Sequence, residues 1–347
     1  MSYREFLDTR RFGSLDGLRA LSIFAVLWHH SGLPQSVPLL QRGQVGVQLF
    51  FAISGFLITS LMIRERRATG TISMSGFYLR RSLRIFPLYY AVLGVYTALV
   101  LATDQGAAGQ AFLENLPAFA TYTSNWFVPF TTDARVIFYF AWSLATEEQF
   151  YLTWPWVERY ASPRVRRALL AVLVAAMGAT HFGLLAGVIA PESFAHIVLW
   201  SIAPPIVFGV IGAHLLHTPN GFAVLGRLFG SRAAAPSLAV LLLAELCLPR
   251  GGMALEYALY LTLAALVSAC VIREDNGLAS LLTLPPLVRV GVVSYGIYLM
   301  HMLAFNAAHL IGPKLGVTSA AILWIAGVVA VYVAAEASFR TFERFFQ

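Results

Sequence analysis

The stretch LRALSIFAVLWHH, Leu18 to His30, has nine apolar or aromatic residues among thirteen, yet it carries Arg19 near its start and closes on His29 and His30. It lies inside an apolar segment, residues 15–33, of the length that crosses a bilayer as an α-helix. It lacks the period-2 alternation of a membrane barrel strand. Inside hydrocarbon every backbone N–H and C=O must be paired, which leaves helices and closed barrels. The stretch therefore reads as a membrane helix that carries three polar side chains.

The rest of the chain repeats this pattern. Of 347 residues 58% are hydrophobic and 12% charged, with a mean hydropathy of +0.71; soluble domains hold about 25% charged residues. Further apolar segments run over 44–63, 83–102, 137–157, 166–188, 194–216, 236–249, 253–272, 289–311 and 318–339. The expectation is an all-α polytopic membrane protein of about ten transmembrane helices, multi-pass in a bacterial-type inner (plasma) membrane. No internal repeat or low-complexity tract interrupts residues 1–347, so one integral membrane domain is expected, without an appended soluble domain. No A-x-A-like cleavage site follows the first segment, which reads as a retained signal anchor.

Charge sets the orientation. With the N-terminus inside, Arg64, Arg66, Arg67, Arg80, Arg81, Arg159, Arg164, Arg227, Arg232, Arg273, Arg340 and Arg344 fall on or beside the cytoplasmic face. Arg84, Arg166, Arg167 and Arg289 stand just inside cytoplasmic helix ends, and the outside keeps only Arg42, Arg135, Arg250 and Lys314. This asymmetry places both termini in the cytoplasm. A crossing within 103–136 would put the arginine-rich 158–167 loop outside, so 103–136 reads as an external or re-entrant excursion. The net charge of +7 is a topology signal and does not imply nucleic acid. Cys247 and Cys270 lie in apolar stretches and read as small buried hydrophobes.

A charge at the bilayer centre costs about 2.5–3.5 kcal/mol on insertion scales, so polar residues in these segments need a reason. On a helix Arg19 and His30 are about 20° from three full turns apart, with a rise of about 16 Å, whereas His29 is turned about 100° away. A neutral histidine accepts a proton or binds a metal. No HxxxH, HxH or cysteine partner lies near His181 or His301, so no metal is expected and His30 reads as a general base. The alternative is a histidine satisfied by a neighbouring carboxylate. In WSLATEEQFYLTWP, Glu147 and Glu148 lie in an apolar helix; such a carboxylate could orient an imidazole or pair with Arg19. In FYLRRSLRIFPLYY, Arg80, Arg81 and Arg84 crowd one side of a helix and suit phosphates, or lipid headgroups. Tyr122, Trp126 and Phe127 suit either the membrane interface or stacking on a sugar ring. Gly43, Gly46 and Gly55 permit close helix approach.

Taken together, five segments resemble the acyltransferase-3 family of integral membrane acyltransferases. LDGLRALSIFAVLWHHSG is similar to the family's LDGLRA opening with its Arg-x10-His pair, and GQVGVQLFFAISGFLIT to its GVD-FFVLSGFLI segment. FYLRRSLRIFPLYY resembles FYxRRxxRIxP, WSLATEEQFYLTWP resembles WSLxxEEQFYLxWP, and SYGIYLMH resembles SYxIYLxH. Gln48 replaces the usual aspartate, and Met302 and Phe345 stand where proline is frequent. The resemblance implies a ten-helix fold and transfer of an acyl group, commonly acetyl, from cytoplasmic acyl-CoA as co-substrate. The acceptor would be a hydroxyl of a surface or exported glycan or glycolipid, or of a small metabolite. It makes His30 the base, with Arg19 and Glu147 supporting. Arg80, Arg81 and Arg84 would hold the donor's phosphates, and Trp126, Tyr151 and His301 would meet the acceptor. The rival reading is a transporter of a glycolipid or protons, which intramembrane Arg, His and Glu would also suit.

Overall fold

The computed structural model describes residues 1–9, 11–34, 36–104, 106–129, 136–249 and 251–346; Arg135 and Arg250, expected on the outer face, lie outside the described residues. The regular elements are helices: α1 (Tyr3–Asp8), α2 (Gly13–His29), α3 (Val45–Thr69), α4 (Met74–Thr103), α5 (Ala107–Ala120), α6 (Trp142–Tyr160), α7 (Pro163–His181), α8 (Phe194–Trp200), α9 (Pro204–Leu216), α10 (Pro219–Phe229), α11 (Ala234–Cys247), α12 (Gly252–Ile272), α13 (Pro285–Val292), α14 (Ser294–Ile311) and α15 (Ala320–Thr341), with a few single turns between them.

Local chemistry marks many of the helix ends. Ser2 and Glu5 form a reciprocal capping box on α1, and Ser73, Ser162, Ser193 and Thr218 cap α4, α7, α8 and α10 through their hydroxyls. Each cap satisfies an N–H that the helix itself leaves orphaned. Prolines occupy the first turns of α7, α10 and α13, where the missing N–H costs nothing.

Each of the ten apolar segments is helical over most of its length. Among the described residues four helices are long and apolar enough to cross a membrane: α3, α4, α12 and Ala320–Phe345, which extends α15. Three further candidates are bent pairs, α8 with α9 at 52°, α10 with α11 at 69°, and α13 with Ser294–Leu315 at 75°, which makes up to seven spans. The expected segments 194–216 and 289–311 are therefore each broken. Hydropathy records composition, whereas the breaks fall at joints such as 201–203, just ahead of Pro204 and Pro205, and at a turn at Val293.

The chain forms two compact units, the first from Met1–Arg64 and Pro205–Phe345, the second from Glu65–Pro204, with α3 beginning in the first and ending in the second. In the first unit α2 is the central rod. A Cβ at Gly46 would collide with the Ser22 carbonyl, and one at Gly291 with the Asp16 carbonyl. Glycine thus lets α3 and α13 approach the α2 backbone, the means by which helices gain packing where lipid supplies no hydrophobic drive. Trp324 of α15 donates its indole N–H to the Leu27 carbonyl at 3.1 Å and stands edge-on to Trp28. A core of Phe6, Phe12, Leu15, Leu18, Ile53, Phe56 and Leu263 fills the interior.

In the second unit α4 and α5 enclose an aromatic cluster. Tyr89 stacks on Tyr122 with centroids 4.3 Å apart and donates its hydroxyl to the Phe119 carbonyl at 2.7 Å. Tyr96 and Phe119 both meet the Phe138 ring. The described part of 103–136 holds α5 and a single turn, Ser124–Phe127. Where α6 meets α7, Glu158 is wholly buried, ion-paired to Arg166 and 4.0 Å from Arg66.

Candidate active site

The expected site residues gather in two clusters, one in each unit. The first lies along α2. Arg19, with a side chain only 17% exposed, faces Asp16 one turn earlier, Nη1 to Oδ1 at 3.6 Å; Asp16 also accepts from Arg11, Nη2 to Oδ2 at 2.6 Å. Asp16 was not singled out from the sequence, although its i,i+3 spacing to Arg19 is a readable signal. At the other end of α2, His30 occupies the C-cap, where exposed carbonyls favour a positive charge.

His30 Nδ1 lies 3.1 Å from the Val26 carbonyl. A carbonyl only accepts, so Nδ1 carries the hydrogen, and in the neutral ring Nε2 carries the lone pair. His301, wholly buried on α14, repeats the arrangement, with Nδ1 2.5 Å from the Tyr298 carbonyl. The two rings meet with centroids 4.8 Å apart, and His29 stands edge-on to His30 at 5.0 Å. Two imidazoles, each anchored through Nδ1 to a helix carbonyl, thus come together. His301 was expected to meet the acceptor; its ring lies among those of His30, Tyr298 and Phe305. No group of three or more His, Cys, Asp or Glu able to hold a metal is found among the described residues.

The second cluster lies between α4 and α6. The Arg81 guanidinium sits 3.9 Å above the centre of the Tyr151 ring, a cation–π contact. The Tyr151 hydroxyl donates to Glu147, one turn earlier on α6. Glu147 and Glu148 both lie within electrostatic reach of Arg81. The three arginines differ in their surroundings: Arg80 is exposed and 3.6 Å from Glu65, Arg84 is exposed, and Arg81 lies over the Tyr151 ring. Trp126 donates its indole N–H to Ser201 Oγ at 2.9 Å and its ring meets Phe194. Gln149 bonds Asn125 and the Tyr122 carbonyl, fastening α6 to the segment that carries the Ser124–Phe127 turn.

Residues 12–336 match the acyltransferase domain family Acyl_transf_3, and the chain belongs to that family. It is 27% identical to the peptidoglycan O-acetyltransferase OatA of Listeria monocytogenes, over 95% of this chain and 55% of the relative. It is also 27% identical to YrhL of Bacillus subtilis, provisionally named a peptidoglycan O-acetyltransferase, over 86% of this chain and 49% of the relative. A Staphylococcus aureus protein provisionally named an O-acetyltransferase is 33% identical over 44% of this chain and 26% of its own length. The chain spans about half the length of the first two relatives. No solved structure matches it.

Proposed function

We propose that the chain is a multi-pass membrane O-acetyltransferase that moves an acetyl group from cytoplasmic acetyl-CoA to a hydroxyl of a cell-surface or exported glycan. The observation that carries this reading is the family match over residues 12–336. The names of the relatives make peptidoglycan the first acceptor to try. The reading includes ten crossings in a single integral domain of a bacterial inner membrane, with both termini cytoplasmic, in keeping with the arginine distribution.

His30 is the proposed base. Its Nε2 takes the proton of the acceptor hydroxyl while the oxygen attacks the thioester carbonyl. The C–O bond forms, the C–S bond breaks, and the proton passes from the imidazolium to the leaving thiolate. Support comes from the tautomer, which is held by the Val26 carbonyl, and from the polar His301 ring packed against that of His30. Arg19 is proposed to line the donor's path, held by Asp16. Arg80, Arg81 and Arg84 are proposed to bind the donor's phosphates, with Tyr151 and Glu147 fixing Arg81 and Glu147 kept in the catalytic set. Trp126 is proposed for the acceptor side. The bent helix pairs would also suit a transporter; family membership favours acyl transfer.

The test is transfer from radiolabelled acetyl-CoA in membranes expressing wild type or His30→Ala, with host surface glycans as acceptors. Label in glycan with wild type alone is expected. Equal label with both proteins removes His30 from the chemistry, and none with either removes this donor and acceptor pair.

A further inference from the structure

One basic feature lies outside the proposed donor and acceptor groups. Where α13 meets the end of α15, a cleft of about 450 Å³ is lined by Arg289, Phe339, Arg340 and Arg344. It is far larger than the ~30 Å³ share of one water. Glu336 holds two of the guanidiniums in place: Arg289 through two bonds of 2.8 Å and Arg340 through one of 2.5 Å. Arg289 also lies 4.6 Å above the Phe339 ring. Arg344 makes no ion pair with any described residue. Three arginines face one carboxylate, so the cleft carries an excess of two positive charges, and most of the fork donors remain for a ligand.

The neighbouring surface is apolar. Ile322, Ile325, Val329 and Val333 of α15 are each 55–59% exposed. At 100° per residue these four and Arg340 fall within an arc of about 80°, on one face of the helix. Val333 and Val329 lie about 10 and 16 Å from Arg340 along the axis, the depth of one leaflet of a ~30 Å hydrocarbon core. A basic cleft at one end of an apolar lane of that length matches a phosphate headgroup with an acyl chain below it.

We infer that this cleft binds an anionic glycerophospholipid, its phosphate held by Arg340 and Arg344 and one acyl chain lying along Val333 and Val329. Charge complementarity selects this occupant over a zwitterionic lipid, and the length of the lane suits its acyl chain. A basic residue near an anionic headgroup is worth about fivefold in binding.

The experiment is native mass spectrometry of the purified full-length chain with phosphatidylglycerol or phosphatidylcholine of identical acyl chains. Wild type is expected to retain phosphatidylglycerol at least fivefold more strongly. Arg340→Gln with Arg344→Gln should bring the two lipids within twofold. Val333→Glu, at an exposed position, should lower retention of both. Arg227→Gln, an exposed arginine elsewhere, should change nothing. Arg344→Gln alone disturbs no described ion pair and serves if the double variant does not fold; it should still lower the preference several-fold. No preference in wild type, an unchanged preference in the arginine variants, or displacement of the lipid by equimolar coenzyme A would each overturn the assignment, the last by making the cleft a nucleotide-phosphate site.

Discussion

Replacing His301 by phenylalanine tests the histidine pair. Phenylalanine keeps a flat ring next to Phe305, whose centroid lies 6.1 Å away, and keeps the α14 packing. It removes both nitrogens. The Nδ1 bond to the Tyr298 carbonyl is local to α14, so the loss that matters for chemistry is the polar ring packed 4.8 Å from that of His30. A hydrogen bond to a charged group is worth about 1.5–3 kcal/mol. If the His301 ring stabilises the His30 imidazolium to that extent in the transition state, the rate of acetyl transfer should fall by roughly 10- to 150-fold at 1.36 kcal/mol per decade. KM for acetyl-CoA should stay within about twofold, because that interaction arises only after proton transfer. His301→Gln restores an acceptor oxygen and should recover much of the rate. The assay is initial-rate acetyl transfer with purified protein and a soluble glycan acceptor. A His301→Phe enzyme within twofold of wild type would refute the reasoning. So would a glutamine variant no faster than the phenylalanine variant. Failure of the whole acyl-transfer reading would look different, because wild type itself would be inactive.

Other substitutions probe the frame. Glu158→Ala strands Arg166 and Arg66 beside a wholly buried position and should cost about 3–5 kcal/mol, read as a loss of thermal stability in detergent. Arg80→Ala, at an exposed pair with Glu65, should cost under about 1 kcal/mol in the same measurement. Gly46→Ala drives a methyl into the Ser22 carbonyl and should cost about 1–3 kcal/mol, with folded yield by size-exclusion chromatography as the readout. Gly94→Ala meets nothing within 4 Å and should be neutral or stabilising by up to about 1 kcal/mol. Glu147→Gln takes a charge from the Tyr151–Arg81 group and should lower transfer at least tenfold, with protein abundance unchanged on an immunoblot.

Residues differ in how far their roles could be read from the sequence. The helices of α3, α12 and α15 are plain in it because each is a long apolar run, a property of neighbours along the chain. The glycines at 43, 46 and 55 signalled close approach, and each now lies against a neighbouring backbone. Asp16 could have been found from its spacing to Arg19. The breaks within 194–216 and 289–311 could not, because hydropathy averages over a joint without registering its angle. The meeting of His30 with His301 is a tertiary event between residues 271 positions apart, and only packing of α14 against α2 creates it. Arg81 shares its helix face with Arg80 and Arg84 in the sequence, and the Tyr151 ring selects it from the three.

The bent pair α13–α14 holds α2 like the jaws of a caliper. One jaw rests on the rod near Asp16, where Gly291 lies against the backbone; the other brings His301 to His30. The span of the jaws is set by the 75° bend, and the length of the rod by its residue count. Deleting one residue between Arg19 and His30 would retract the imidazole by about 1.5 Å and swing it through about 100°, out of the far jaw. Substitutions on the outer face of α2, at Leu21 or Phe24, leave both gauge points untouched. The tolerance of this helix is therefore lopsided: permissive to changes of side chain on that face, intolerant of any change in length.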